Sequence, residues 1–551
     1  MKAKIICTTL LVENSPQALP LGAACIAAAI NHHPLTKDFC KATLIDFNPE
    51  DDDFKTHSSS THTAASWICS ILTKEFEKDN PDFSKNVDFK ICAFSLFVWN
   101  RVILEEAAAL LKNEGIICIA GGPEITAHPL DFPVFDYVLT GEGETKVPAL
   151  IHEICTGEKI AAEECNLETI PSPYLENILD PAKYGGALWE LARGCPFKCS
   201  YCYESKGKNK VSLFPMNRIE AELDLFAKKK IPQVFVLDPT YNANKKRAID
   251  LINLIHKKTP DTFYYFEARA EFIDRELAHA FTKIPCALQI GLQSAREEVL
   301  KAVHRPFNKK QFTKNIGLLN QEGVIFGLDL IYGLPFETFK TFCQGIDYAI
   351  SLYPNNLEIF CLSVLPGTDL YDRAKELKLT FSTTPPYNVI HTNVFSQTDI
   401  QNAKGLSNAC SIFYNQGRAV PWFNSVCSVL RLRPSEFFKR FAKDYDTVNN
   451  NFADITCQHK EIEKLQLDFI NRIIKEKNQT KLSPLITDLI KFNGAMSRVL
   501  DTGKEEKLSL SYEAQYIDSP YATDLNFFFQ NIRPKKQTVR IFKKNNFVTW
   551  C

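Results

Sequence analysis

Three cysteines stand on one short segment, Arg193-Gly194-Cys195-Pro196-Phe197-Lys198-Cys199-Ser200-Tyr201-Cys202-Tyr203, with the spacing C-x3-C-x2-C. Three thiolates on one loop can bind three irons of a cubane cluster and leave the fourth iron without a protein ligand. An iron open in this way is what a small molecule needs if it is to be bound and reduced there. A closed structural zinc site needs a fourth Cys or His close by, and no histidine occurs between Cys195 and Tyr241. A disulfide framework would leave one of the three cysteines over. The spacing therefore favours a [4Fe–4S] cluster with Cys195, Cys199 and Cys202 as its metal ligands. Of the other cysteines, Cys7, Cys92, Cys118, Cys286 and Cys361 sit singly in apolar stretches and read as buried small hydrophobes. That usage fits a reducing compartment rather than a secreted disulfide scaffold.

The elements that must position this loop are legible as apolar runs alternating with helical patterns. Candidate strands in the first part are 4–9, 42–47, 89–95, 116–120 and 136–140, with helical patterns such as 22–31 and 102–112 between them. This alternation predicts a Rossmann-like, doubly wound parallel sheet over residues 1–165, with ligands at the carboxyl ends of its strands. A polar stretch containing Pro171, Pro173 and Pro181 reads as a linker over 166–184. A second series follows, with strands at 187–193, 233–237, 263–268, 287–292, 325–331 and 357–364. It predicts a partial (β/α)6 barrel of the TIM type over 185–395. The overall class is α/β with a mainly helical C-terminal domain over 396–551. There Ser396 and Asp399 form a capping box, Ile462, Leu465, Phe469 and Ile473 share a helical face, and 538–542 with 547–550 form a hairpin around 543–546.

Polar residues fall at or just past the barrel's strand ends, where the active sites of such barrels collect. They lie in Phe266-Glu267-Ala268-Arg269, Ile290-Gly291-Leu292-Gln293-Ser294, His304-Arg305-Pro306 and Asp329-Leu330-Ile331-Tyr332-Gly333-Leu334-Pro335. Asp238 ends the strand Val234-Phe-Val-Leu-Asp, and Pro366-Gly367-Thr368 follows the last strand. In the first domain three loops stand out: Pro20-Leu21-Gly22, Gly121-Gly122-Pro123-Glu124 and Thr140-Gly141-Glu142-Gly143-Glu144. Glycines at strand ends allow close backbone approach to a flat or phosphate-bearing ligand, and they also serve plain tight turns.

The C-x3-C-x2-C loop after the first barrel strand, with Tyr201 just before the last cysteine, resembles the signature of the radical S-adenosylmethionine superfamily. The resemblance implies that the open iron chelates the amino and carboxylate groups of S-adenosylmethionine (SAM), which an electron from the cluster then splits to methionine and a 5′-deoxyadenosyl radical. It places Tyr201 near the adenine. The ordered polar residues resemble the oxygen-independent coproporphyrinogen oxidase and elongator-type branch. That likeness implies SAM contacts at Glu267, Gln293, Arg305 and Asp329, with Ser294 beside Gln293 and Asp238 as a further pocket residue. Arg305 suits the carboxylate, and Gln293 and Asp329 suit ribose hydroxyls.

The glycine loops together with Asp136-Tyr137-Val138-Leu139, placed before such a barrel, resemble the cobalamin-binding radical SAM family over roughly residues 1–400. The likeness implies cobalamin contacts at Gly22, Gly121, Gly122, Gly141, Glu142, Gly143 and Glu144. It also implies contacts at Ser95 and Trp99, on the loop Ser95-Leu-Phe-Val-Trp-Asn100. No D-x-H-x-x-G motif is present, so no histidine is marked as a lower axial cobalt ligand. The stretch from Val234 through Pro385-Pro386-Tyr387 to the helical tail resembles a subgroup with a C-terminal domain of unknown function.

The expected activity is that of a radical SAM enzyme using cobalamin; as a methylase it would move a methyl group from methylcobalamin to a substrate carbon. A rearrangement or cyclisation without methyl transfer, and a non-catalytic iron–sulfur binding module, stay open as alternatives. Thiolation, which usually needs a second cluster, lacks a second C-x2-C or C-x3-C. The 64 basic residues against 65 acidic give no electrostatic footprint for a nucleic acid or an anionic membrane. No apolar run is long enough to span a bilayer, and the N-terminus lacks the apolar core of a signal peptide. A cytoplasmic protein is expected, with a small-molecule or peptide substrate and an electron donor such as flavodoxin or ferredoxin.

Overall fold

The computed structural model describes residues 2–78, 87–205, 211–449, 458–544 and 547–551. The chain forms two compact units. One comprises Met1–Ala287, Ser363–Ala374 and Ser382–Asn388; the other comprises Leu288–Leu362, Lys375–Phe381 and Val389–Cys551.

The first unit opens with strands β1 (Ala3–Leu10), β2 (Cys40–Phe47), β3 (Phe89–Ser95), β4 (Ile117–Gly121) and β5 (Tyr137–Val138). They are all parallel, in the order β2-β1-β3-β4-β5. β1 is buried along its whole length, as a central strand covered on both faces must be. One face packs around Ile68, Leu72, Leu104 and Leu111. The other packs around Ala23, Ala27 and Ile30 of the helix Leu21–His32, whose alanines let it lie close to the sheet. This is the expected doubly wound sheet. Only its last strand is shorter than the apolar run suggested, with β5 reduced to two residues.

The same unit continues with β6 (Ala187–Trp189), the short antiparallel pair β7 (Ala192–Arg193) and β8 (Ser212–Leu213), β9 (Gln233–Val236) and β10 (Phe263–Ala268). β6 pairs with β9 and β9 with β10, both parallel. The single strand expected over 187–193 is thus broken at Glu190. The backbone turns there because one oxygen of Asp238 accepts the N–H groups of both Leu191 and Ala192, each at 2.9 Å. The stretch read as a linker is packed: the Tyr174 hydroxyl donates to the Leu188 carbonyl at 2.5 Å, and the Ser172 hydroxyl to Glu222 at 2.5 Å.

The second unit holds β11 (Cys286–Gln293, from Leu288 onward), β12 (Ile325–Tyr332) and β13 (Asn356–Cys361), in that order, with β13 at the edge. Two short strands, β14 (Thr380–Phe381) and β15 (Val389–His391), pair antiparallel. The C-terminal region is mainly helical, as expected. The Ser396/Asp399 capping box opens the helix Gln397–Cys410. Phe413 then lies among the rings of Phe437, Phe441 and Phe469, at centroid distances of 4.8, 5.2 and 6.0 Å. The predicted hairpin is present as β17 (Gln537–Lys544) and β18 (Phe547–Trp550), its 545–546 turn lying outside the described residues. β16 (Glu506–Leu510) adds a third strand to it, which the sequence reading did not contain. Among the described residues no helix is long and apolar enough to cross a membrane.

Candidate functional site

Cys195 follows β7 after Gly194, and Cys199 and Cys202 close a turn in which the Cys202 N–H donates to the Cys199 carbonyl at 3.0 Å. None of the three is in a disulfide; Cys199 is buried and the other two half-buried. Burial, reinforced by the neighbouring thiols, pushes the Cys202 thiol up to about 11. A bound metal would reverse that cost, because coordination deprotonates a thiol. Among the described residues no three His, Cys, Asp or Glu side chains form a group arranged to hold a metal ion. The fit of a cluster therefore rests on the donor set itself: three unlinked thiols on one loop, with the buried Ser200 hydroxyl between two of them lacking a partner among the described residues.

The loop is tied down at several points. On its N-terminal side, Arg193 meets three carboxylates: Glu190 at 2.8 Å, Glu144 at 2.6 Å and Glu142 at 3.4 Å. Burial opposes its charge, but Glu190 and Glu144 outweigh burial and hold the guanidinium above its ordinary value. Cys195 Sγ stands 3.8 Å from the Thr240 hydroxyl. In the middle, the guanidinium of Arg269 lies 4.0 Å above the Phe197 ring, while its backbone N–H and C=O are both bonded by the Asn242 amide at 2.9 Å. Beyond Cys199, the Leu370 N–H donates to the Ser200 carbonyl at 2.8 Å.

Among the residues expected to contact SAM, Tyr201 is half-buried on this loop and Glu267 is exposed at the end of β10. Asp238 is committed to the backbone of 191–192, and burial raises its carboxyl to about 7 against those two donors. In the second unit Gln293 ends β11 with φ +66°, and its buried Oε1 lacks a partner among the described residues. Arg305 donates to the Gly291 carbonyl. Asp329 accepts from the Gln289 amide, and its carboxyl is raised to about 6 by burial. Ser294 is buried and donates to Glu337 at 2.6 Å, so its hydroxyl holds the loop after β12.

At the carboxyl end of the first sheet, Trp99 is 46% exposed, stacks on Phe97 at 4.5 Å and donates its indole N–H to the Leu10 carbonyl at 3.1 Å. Ser95 ends β3, and its carbonyl accepts from Thr9 at 2.9 Å. Gly122 has φ +108°, and a Cβ there would come within 2.5 Å of the Leu96 carbonyl oxygen. Around Gly22 nothing lies within 4 Å of an added Cβ, and around Gly121 only the Leu139 carbonyl oxygen does, at 3.8 Å. Gly141 has φ +74°, and a Cβ on Gly143 would meet Ile26 at 2.7 Å. Glu142 and Glu144 point to Arg193 rather than standing as unengaged ligands.

Sequence reasoning missed two groups. One is Arg193 with its three carboxylates, which only the fold brings together. The other is Tyr387, whose hydroxyl donates to Glu124, itself paired with Arg101 at 3.0 Å. The motif Pro385-Pro386-Tyr387 thereby fastens onto the Gly121–Glu124 loop. Cys361 is half-buried, not a core residue as its apolar context had suggested, because it ends edge strand β13.

Comparison with known proteins gives two family matches. The model described as "Radical SAM superfamily" matches residues 189–349, and "Protein of unknown function (DUF4080)" matches 375–536. The 2-(S-pantetheinyl)-carbapenam-3-carboxylate methyltransferase of Streptantibioticus cattleyicolor is 27% identical over 51% of this chain and 48% of its own. The cobalamin-dependent radical SAM methyltransferase TokK of Streptomyces tokunonensis is 26% identical over 54% of this chain and 50% of its own. The chain thus spans about half the length of these curated relatives. Among solved structures, the cobalamin-dependent S-adenosylmethionine radical enzyme OxsB, with aqua-cobalamin and S-adenosylmethionine bound, aligns with a TM-score of 0.55 and 14% identity, over 89% of this chain and 81% of that one. This last likeness is one of fold.

Proposed function

We propose, from the premise that this chain belongs to the radical SAM superfamily and continues into a DUF4080 domain, that it is a cobalamin-dependent radical SAM enzyme methylating a carbon of its substrate. The observation that carries the reading is the cysteine loop: three unlinked thiols at C-x3-C-x2-C, held from both sides by Arg193 and Leu370. Cys195, Cys199 and Cys202 hold the [4Fe–4S] cluster. When bound, the cluster supplies the electron that splits SAM, and the corrin supplies a transferable methyl group.

The chain's own residues bind and orient. Arg305 offers a guanidinium to the SAM carboxylate, and Gln293 and Asp329 offer acceptors to hydroxyls. Tyr201 and Glu267 serve the nucleoside, Asp238 acts by fixing the backbone of 191–192, and Ser294 acts by holding Glu337. For the corrin, Gly22 and Gly121 leave room for close approach, Trp99 and Phe97 present a flat apolar face, and Gly141–Glu144 frame the loop that grips Arg193. In this reading residues 1–165 serve the corrin, 185–395 the cluster and SAM, and 166–184 join them. An external one-electron donor of the flavodoxin or ferredoxin class supplies the electron.

The test is reconstitution under strict anaerobiosis with iron, sulfide and cobalamin. About four irons and about one cobalt per chain are expected, with release of 5′-deoxyadenosine from SAM that Cys199→Ala abolishes. Zinc in place of iron, or a cluster that leaves SAM intact, overturns the reading. Full iron and SAM cleavage without cobalt removes the methyl-transfer part alone.

A further inference from the structure

We propose that the DUF4080 domain takes the place of a strand beside β13, with Asn415 and Ser407 making the hydrogen bonds that a neighbouring strand would make. β13 is the last strand of its sheet. In a parallel strand, successive residues turn their backbone groups alternately to the two sides. At an edge the outward groups need partners or solvent, and an open edge invites pairing with another chain.

The outward groups of β13 are met by side chains of the C-terminal region. The Asn415 carbonyl accepts the Leu357 N–H at 2.9 Å, and its amide donates to the Leu357 carbonyl at 3.0 Å. One amide side chain thus imitates the donor and acceptor of a paired residue. One residue pair further along, the Ser407 hydroxyl donates to the Ile359 carbonyl at 2.6 Å. Just before the strand, the Tyr414 hydroxyl donates to the Pro354 carbonyl at 2.6 Å.

The helix that presents these groups is built for the task. Asn415 lies in a π-helical turn, Ser411–Gln416, at the end of Gln397–Cys410. The wider turn leaves carbonyls without regular helical partners. The buried Gln466 amide supplies them, donating to Phe413 at 2.8 Å and Gly417 at 3.0 Å. The Phe413 ring beside it is locked among Phe437, Phe441 and Phe469. The Asn415 amide also reaches the Glu358 carboxylate at 3.4 Å, and Glu358 is the register partner of Asp329 on β12. The side chain that closes the edge therefore also fixes the carboxylate standing next to Asp329. None of this depends on which cofactors bind.

The test is hydrogen–deuterium exchange on the full-length protein. In Asn415→Ala the Leu357 amide is expected to exchange about tenfold faster, the loss of one hydrogen bond, while amides 5–8 in β1 keep their wild-type rates. Wild-type protection of Leu357 in a folded Asn415→Ala protein overturns the proposal. Asn415→Asp, made together with Glu358→Gln so that no carboxylate pair forms at the 3.4 Å contact, retains the acceptor for Leu357 and loses the donor, so Leu357 protection is expected to stay within about threefold of wild type. This double variant decides alone if the alanine protein does not fold: a folded double-variant protein whose Leu357 amide exchanges as an unbonded edge amide overturns the proposal equally.

Discussion

The guanidinium of Arg193 and the carboxylate of Glu144 meet at 2.6 Å, joining the residue two before Cys195 to the glycine loop that follows β5. Glu144 is buried and Arg193 half-buried, and Glu142 and Glu190 complete the cage. A side chain so placed makes the geometry of the cysteine loop depend on a loop of the first sheet. Arg193→Ala leaves three carboxylates without their cation, which costs about 3 kcal/mol for a buried partner. The expected outcome is a lowered thermal midpoint together with reduced iron after reconstitution. Arg193→Lys restores only part of both, since one ammonium cannot serve a fork of three carboxylates.

Asp238 gives a pH dependence with a defined sign. Burial raises its carboxyl from 3.8 to about 7, against the pull of the Leu191 and Ala192 N–H groups. A carboxyl whose folded pKa lies above its unfolded value stabilises fully below the unfolded pKa and loses that contribution as pH rises through the folded one. Relative to Asp238→Asn, which keeps the acceptor but not the charge, the wild-type protein is expected to lose up to about 4 kcal/mol between pH 4 and pH 7. Thermal midpoints of the two proteins across that range test it. Parallel curves would mean that Asp238 does not titrate there.

Much of this arrangement was legible in the chain, for physical reasons that differ by element. Period-2 and period-3.6 patterns are local, so β1, β3 and β10 and the helices between them follow from neighbouring residues. The cysteine spacing is also local. Arg193 meeting Glu144 across 49 positions is not, because it exists only once β7 and the loop after β5, which belong to different sheets, have been brought together. The break at Glu190 was hidden for the same reason, since the agent of the break is Asp238, 47 positions from Leu191. β16 was missed because its Glu506-Lys-Leu-Ser-Leu510 run is short and half-exposed, and only β17 beside it makes it a strand.

Arg269 over Phe197 is a contact between a buried cation and the middle of the cysteine loop, 4.0 Å from the ring centroid. Arg269→Met keeps much of the apolar stem and removes the charge. Such a contact contributes about 1 kcal/mol, and the ion pair of the same guanidinium with Glu271 at 2.7 Å is lost with it, so global stability should fall by about 1–3 kcal/mol. The loop itself should loosen, and the reconstituted protein is expected to surrender iron to a chelator faster than wild type. Equal chelator resistance would show that Phe197 is held by packing against Phe272 alone.

Gly121 and Gly122 are adjacent yet predict opposite behaviour. At Gly122 an added methyl would press within 2.5 Å of the Leu96 carbonyl oxygen on a backbone with φ +108°, so Gly122→Ala is strained in the folded protein whatever binds. A loss of about 1–3 kcal/mol is expected, read as a lower thermal midpoint without any cofactor. At Gly121 the same methyl meets only the Leu139 carbonyl oxygen, at 3.8 Å, and φ is ordinary. Gly121→Ala should therefore fold as stably as wild type. If this strand end receives a corrin at backbone distance, the methyl occupies the space of approach, and cobalt retained after reconstitution should fall while iron on the cysteine loop stays unchanged. Full cobalt in Gly121→Ala would move the corrin face away from this loop, and a fall in iron as well would mean that the methyl disturbs the cysteine loop too, so that the loss of cobalt no longer points to the corrin.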